Sequence, residues 1–462
     1  MGTARHKDAR AGQVIAALCL GTALSALNSG MIAVALSTLR GVFAVDVATV
    51  TWVISVFYLA SAVLQPLMGR LADRFGPRRI FTLGMAVIIV AGTVGPFSPD
   101  IWWVCLSRVI LAIGTAAAFP AAASMLRAIA HDRGGDAPTM IGRIQLIDTS
   151  TAAVGPVVGG VLLSLVGWQA VFWVNIPIAV AAIVATRAVT PADEPRQSRP
   201  LIEILRESDL PGILAFTVTV VALLMFLLDL PDGAPWVLLV IAVAAACLFT
   251  WRELRCRTPF IDIRFLAANA PLLRVYSRII LGSLVLYSAL FGLPQYLEDH
   301  VGYSTAIVGA LLLPLAAFNV LLARPAEKLV HARGLGQAML VGVIGLAAGS
   351  LLMPLLGASA PVWLVLLAAA GIGVPYVFVL VAVTQSLYIA APADEVGEAA
   401  GLFQTARSAG CIGASVVVGL CFSGGTSSAD WEVLAWTIVG LAGLFVVVLA
   451  STFRMATRPA PA

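Results

Sequence analysis

Asp148 is the one acidic residue well inside an apolar stretch of this chain, and it stands on a regular face. Gln145, Asp148, Thr149, Ala152, Pro156 and Gly159 recur at helical spacing, so the carboxyl looks the same way as the glycine and proline positions and not into lipid. By helical rise it lies roughly 14 Å from the nearer end of its segment, close to mid-membrane depth. A carboxyl in a low-dielectric medium takes up a proton more readily than one in water, which is the chemistry of proton coupling. Arg108 is the basic counterpart, roughly 10 Å deep from the other membrane face by the same rise, and it is expected within reach of both Asp148 and Asn28. Asn28 shares a polar stripe with Thr22, Ser25 and Ser29. Two readings of the charges stay open: Asp148 exchanges between ionised partner of Arg108 and protonated state, or the two form a permanent structural pair. Arg278 and Arg407 fall in the inner thirds of later segments, where snorkelling or helix-end anchoring competes with substrate contact. Asp229, Glu298 and Asp299 fall at segment ends, where carboxylates stay hydrated.

These residues need a scaffold, and composition names it. Of 462 residues 60% are hydrophobic and only 11% are Asp, Glu, Lys or Arg, against roughly 25% charged in a soluble domain. With a mean hydropathy of +0.99 the solvent for most of this chain is lipid. A helix crosses the hydrocarbon with about 20 apolar residues. About fourteen such segments can be drawn, at approximately 12–38, 47–68, 79–98, 101–127, 138–165, 169–187, 210–229, 236–251, 272–297, 304–323, 336–356, 362–390, 396–421 and 431–453. Runs such as Val433 to Ala450 have no period of two, so the fold class is an all-α polytopic membrane protein and not a barrel. Several segments are longer than a perpendicular crossing needs, and tilted or kinked helices are expected. The first, after Arg5, Lys7 and Arg10, runs apolar to Leu39, longer than a cleavable leader.

The basic residues set the orientation. Arg70, Arg74, Arg78 and Arg79; Arg127 and Arg133; Arg196, Arg199 and Arg206; Arg252, Arg255, Arg257 and Arg264; and Arg324, Lys328 and Arg333 all fall on alternate connections. The connections between them carry none, with Arg40 the exception. By the positive-inside rule both termini are cytoplasmic, in a cell membrane. The net charge of +4 is thus a topology signal, and a nucleic-acid role has no support. Two lysines against twenty-six arginines point to a GC-rich bacterium. The six cysteines show no ligand spacing, and the four histidines lie in tails or loops, so no metal site or cofactor is expected.

A polar, proline-containing stretch at 188–209 reads as a cytoplasmic linker. Residues 1–187 then form a six-helix half, 210–270 an inserted two-helix hairpin with its cytoplasmic loop, and 271–462 a second six-helix half. Two equal halves suggest a duplicated transporter with its pathway between them.

One cytoplasmic turn carries a specific signature, Gly69-Arg70-Leu71-Ala72-Asp73-Arg74-Phe75-Gly76-Pro77-Arg78-Arg79. Gly69 and Gly76 permit a tight turn between packed helices, and Asp73 can accept from a helix N-terminus or pair with a basic residue. The stretch resembles the signature loop of the major facilitator superfamily. Leu27 to Leu36, Trp52-Val53 and Tyr58-Leu59 are similar to the first helices of its fourteen-helix drug:proton antiporter family. The fifth segment continues the likeness with Gly155-Pro156-Val157-Val158-Gly159-Gly160, which in that family is the antiporter motif. Its glycines let another helix approach closely, and Pro156 bends the helix. The resemblance extends to Phe291-Gly292 and to Gly401, Thr405 and Arg407.

The resemblance implies proton-driven export of small amphipathic molecules such as drugs, antibiotics or secondary metabolites, with the proton gradient as driving force and a monomer as the working unit. The family pattern places an acid where this chain has Asn28, which cannot take up a proton. Coupling therefore falls to Asp148 with Arg108, or is absent, leaving a proton-independent facilitator or importer of the same fold. Arg108 occupies the arginine position of the family's fourth-helix motif, with Leu111 and Ala112 in place of the usual residues. Asn28, Gln145, Thr149, Tyr287, Phe291 and Tyr376 are expected to line the substrate cavity. Other aromatics, including Phe57, Tyr58 and Phe119, serve either there or in packing. Asp394 and Glu395, in an inner loop without Lys or Arg, are expected either to latch against Arg70 and Arg74 or to sit in a solvated loop of little consequence. A membrane enzyme would need a cluster of acids, histidines or metal ligands at one face, and none is visible.

Overall fold

A computed structural model describes residues 2–133, 137–193, 209–233, 235–256, 259–261, 263–357, 359–391 and 396–456. The main helices are α1 (Gly2–Phe43), α2 (Val47–Phe75), α3 (Pro77–Val94), α4 (Ile101–Arg133), α5 (Ala137–Leu165), α6 (Asn175–Val189), α7 (Leu210–Leu228), α8 (Trp236–Glu253), α9 (Ala270–Asp299), α10 (Thr305–Leu311), α11 (Leu313–Arg333), α12 (Leu335–Ser350), α13 (Val362–Ala390), α14 (Val396–Cys421) and α15 (Ser428–Ala456). There is no strand among the described residues, and helix occurs at every one of the fourteen apolar segments. Among the described residues eleven helices are long and apolar enough to cross a membrane, and shorter apolar runs lie at Val154–Leu165 and Thr305–Leu315. The chain is a polytopic, all-helical membrane protein.

Local sequence sets several boundaries. Asp46, Asp209 and Asn269 cap α2, α7 and α9 by accepting from Thr49 N at 3.0 Å, Gly212 N at 3.2 Å and Leu272 N at 3.3 Å. Pro66, Pro120, Pro156, Pro294, Pro325 and Pro375 sit inside helices, where each removes a backbone donor. The signature turn between α2 and α3 pivots on Gly76 at φ +101°, a conformation that L side chains rarely adopt. There the amides of Arg78 and Arg79 donate to Asp193, at 3.1 and 2.8 Å. The carboxylate thus caps the positive end of α3, one of the two roles open to Asp73 from the sequence. Asp73 lies in α2, and its side chain is outside the described residues.

Packing repeats itself along the chain. In the first part α1 packs on α5 and α6, α4 on α2 and α3, and α3 on α6. In the later part α9 packs on α14 and α15, α13 on α11 and α12, and α12 on α15. The second pattern is the first with α9 in place of α1 and each helix following in register. Contacts between the two sets follow the same exchange: α2 meets α14, α5 meets α10 and α11, and α1 meets α9.

The closest approaches use glycine. A Cβ at Gly155 would lie 2.8 Å from Gly30 Cα and Leu27 O, and one at Gly159 would lie 2.8 Å from Met31 Cα. The matching helix α14 presents Gly410, whose Cβ would come within 2.6 Å of Ile280 O on α9. Gly160 faces α10 instead, 2.6 Å from Thr305 O, and Pro156 O lies against Gly309. One glycine-rich stretch of α5 therefore abuts its own set through Gly155 and Gly159 and the other set through Gly160.

The helices α7 and α8 pack on each other, and α7 reaches α2 and α14. At their arginine-rich end Arg252 pairs with Asp209 at 2.5 Å, and Glu253 accepts from Ile261 N at 3.2 Å. Trp236, Val237, Val240 and Val243 are exposed, giving α8 a wide apolar face toward lipid.

Candidate functional site

Two connected spaces lie between the sets of helices. The inner one, about 50 Å³, is lined by Thr22, Ser25, Ala26 and Ser29 of α1, Phe57, Tyr58, Ser61 and Gln65 of α2, Thr115 and Phe119 of α4, Asp148 of α5, Tyr287 of α9, and Gln404, Arg407 and Ser408 of α14. The second, about 310 Å³, shares Gln65, Phe119 and Gln404 with it and continues past Gly69, Arg70 and Arg127 to the arginine-rich end of the bundle.

The opposite end is closed. Arg40 of α1 pairs with Asp299 of α9 at 2.5 Å, Ser37 donates to Glu298, and Thr426 donates to Asp299 at 3.4 Å. Deeper along the seam, Ser55 of α2 and Ser415 of α14 share a hydrogen bond of 2.9 Å. The pathway is open toward the arginine-rich side and sealed on the other. Arg40, the exception to the charge rule, is half of that seal, and the carboxylates at the end of α9 are engaged in it. The departure of Arg40 from the charge rule was the sequence signal for this contact.

Two residues that line the inner cavity carry formal charge. Asp148 is buried, with 9% of its surface exposed, and its Oδ1 has no hydrogen-bond partner among the described residues. Arg407 stands across from it on α14, and its Nη2 donates to Tyr287 Oη at 3.2 Å. The two charges act on one another electrostatically, yet among the described residues no ion pair within 4.0 Å joins them. Tyr287 in turn packs edge-on against Tyr58, with ring centroids 5.9 Å apart.

Arg108 is not the partner of Asp148. It is fully buried on the α2 side of α4, with Nε donating to Val53 O at 3.4 Å and the guanidinium 4.4 Å over the Phe57 ring. Helices of 29 to 33 residues overrun a hydrocarbon slab of roughly 30 Å, so depths measured from two membrane faces do not close the gap. Arg108 lies seven residues into α4 and Asp148 seventeen from the end of α5, which leaves them roughly 15 Å apart along the bundle. Asn28 is also elsewhere. It faces α6, donating to Asn175 Oδ1 at 2.6 Å and to Leu24 O at 2.8 Å, while Asn175 donates back at 3.3 Å. Its neighbours Thr22, Ser25 and Ser29 do line the cavity.

Of the aromatic expectations, Tyr287 lines the cavity and Phe291 and Tyr376 do not. Phe291 is fully buried behind Tyr58 and Tyr287, at centroid distances of 6.4 and 5.4 Å. Tyr376 is buried within α13, near the position of Gly282 on α9. Gln145 and Thr149 lie on α5, but their side chains are outside the described residues, as are Asp394 and Glu395 altogether. The proposed latch therefore has one side in view: Arg70 lines the vestibule and donates to Pro259 O at 3.3 Å, and Arg74 sits in the last turn of α2. The sequence reading gave Arg407 no more weight than Arg278. A stripe of Gln404, Arg407, Ser408 and Ser415 at helical spacing marks a polar face of α14, but not what that face meets.

The model of the Major Facilitator Superfamily matches residues 18–415. The chain belongs to that superfamily. An MFS-type transporter of Bacillus subtilis (strain 168), YwoD, is 30% identical over 94% of this chain and 96% of its own length. The tetracenomycin C resistance and export protein of Streptomyces glaucescens is 28% identical over 87% of this chain and 74% of its own. Among solved structures, a mutant of the nucleoside transporter NupG superposes with a TM-score of 0.67 at 13% identity, covering 95% of this chain and all of the other. Among the described residues no group of three His, Cys, Asp or Glu side chains could hold a metal ion.

Proposed function

We propose that this MFS transporter exports small amphipathic molecules by proton antiport, its two six-helix units rocking about the central cavity so that each face opens in turn. The observation that carries this reading is Asp148: a buried carboxyl at the cavity wall with an unpartnered oxygen. Such a group takes a proton or a cargo donor but not both, and that mutual exclusion is what antiport requires. The aromatic walls of Phe57, Tyr58 and Phe119 suit an apolar body. The resistance and export protein among its relatives supports a drug or secondary metabolite as cargo. The arginine-rich loops favour cytoplasmic termini in a bacterial cell membrane. A monomer that uses the proton gradient and no bound cofactor meets these needs.

Tetracenomycin C uptake into proteoliposomes with an acidic lumen tests it. Accumulation should require the pH gradient and vanish in Asp148→Asn. Undiminished gradient-driven accumulation by a folded Asp148→Asn protein would overturn the coupling role. The uncharged pairing of Asn28 with Asn175 favours a second reading, a facilitator without protons. Equilibration at the same rate with and without the gradient would select it.

A further inference from the structure

The inner cavity presents unmatched polar groups of opposite character on opposite sides. On α5, Asp148 Oδ1 is buried and accepts no hydrogen bond from the described residues. On α14, Arg407 brings five N–H donors, and its hydrogen bond among the described residues goes to Tyr287. Neither charge neutralises the other at contact distance, since no ion pair within 4.0 Å is formed between them among the described residues. Among the described residues the lining between them adds hydroxyls and amides but no further formal charge. Asp148 is buried and Arg407 half-buried, and a charge held away from water without a partner costs free energy, so the space selects for a molecule that serves both.

We infer that this is a dipolar binding site, in which Arg407 and Tyr287 anchor a carboxylate of the cargo while Asp148 receives an ammonium of the same molecule. A simple cation is repelled by Arg407 and leaves its fork of donors empty. A simple anion leaves Asp148 unmatched and faces its charge when ionised. A zwitterion satisfies both, and the planar guanidinium fits a carboxylate with two parallel hydrogen bonds. Volume supports the same division: the inner space of about 50 Å³ suits a compact head group between the aromatic walls, whereas the adjoining vestibule of about 310 Å³ has room for a larger apolar tail. The ammonium then competes with the proton for Asp148. That part rests on the antiport reading, whereas the carboxylate anchor at Arg407 stands without it.

Three probes on one ring system test the site in the purified full-length protein: naphthylalanine, naphthylethylamine and naphthylpropionic acid, with binding measured calorimetrically and no gradient imposed. Naphthylalanine should bind at least about tenfold more tightly than the amine. Arg407→Gln should remove that advantage without weakening the amine, and Tyr287→Phe should reduce it about threefold. Arg407→Lys, which keeps the charge and loses the fork, should fall between, and it carries the test if the Gln variant does not fold. Equal binding of amine and zwitterion, a preference that survives Arg407→Gln, or no binding of any probe would overturn the proposal. A zwitterion preference without gradient-driven transport would overturn the antiport reading and leave the dipolar site standing. Intact coupling without the preference would do the reverse.

Discussion

Two polar regions lie within a few turns of each other, and they are built in opposite ways. In the first, Asn28, Asn175 and Arg108 are packed inside a single set of helices, and each has a hydrogen-bond partner or an aromatic face. In the second, Asp148 and Arg407 come from different sets and meet only across a cavity. Satisfied polar groups rigidify a core, while unsatisfied ones facing a cavity leave a preference that a bound molecule can change. Residue type alone does not separate the two regions, since each contains an arginine. What separates them is which helix each residue faces.

The comparison breaks most completely if the frame holding both regions is pried apart. Gly159→Leu would drive a side chain into Met31 Cα and Val34, each 2.8 Å from where its Cβ would sit, and α1 has no flexible group there to yield. Little or no monodisperse protein should survive detergent extraction and size-exclusion chromatography. Next in size, Asp148→Asn should lower gradient-driven transport by about tenfold or more and flatten its dependence on pH, while the folded yield stays near wild type. A tenfold change corresponds to about 1.4 kcal/mol of driving interaction.

The closed region should answer through stability instead. Asn28→Ala strips Asn175 of its side-chain partner and should cost about 1–3 kcal/mol, read as a lowered unfolding temperature in detergent. Transport per folded molecule and its pH profile should not move. Arg108→Met keeps most of the volume but loses the contact with Phe57 and the bond to Val53 O, a loss of about 0.5–2 kcal/mol, again with cargo preference unchanged. If either variant shifted the pH profile, the division between the regions would fail.

Much of this is legible in the amino-acid sequence. The apolar runs named the helices, and the glycine and proline spacing of α5 marked a close-packed face. The same spacing placed Asp148 on that face. Three things were not legible. The pairing of Asn28 with Asn175 joins residues 147 positions apart, and no local pattern reports it. The separation of Arg108 from Asp148 depends on helices that extend well past the hydrocarbon, which a count of apolar residues understates. The place of Arg407 depends on how one helix set docks on the other, and the packing repeat behind that docking appears only in the pairing of helices.

The smallest expected effect lies at the sealed end of the same seam, and it sharpens what burial does to a charge between the two sets. Arg40 and Asp299 also come from different sets, and they do touch, at 2.5 Å with side chains 22% and 17% exposed. Water at that rim screens the pair and the long side chains lose entropy in forming it, so its worth is about 0.2–1 kcal/mol. A double-mutant cycle of Arg40→Gln and Asp299→Asn on unfolding temperature should return a coupling in that range, and about 1 M salt should largely erase it. Ser37→Ala probes the neighbouring contact to Glu298 and should be additive with the cycle if the two contacts act independently. A coupling well above 1 kcal/mol would mean that the rim is as sheltered as the cavity. The seal would then hold by charge, and the contrast between a wet rim and a buried dipolar centre would have to be given up.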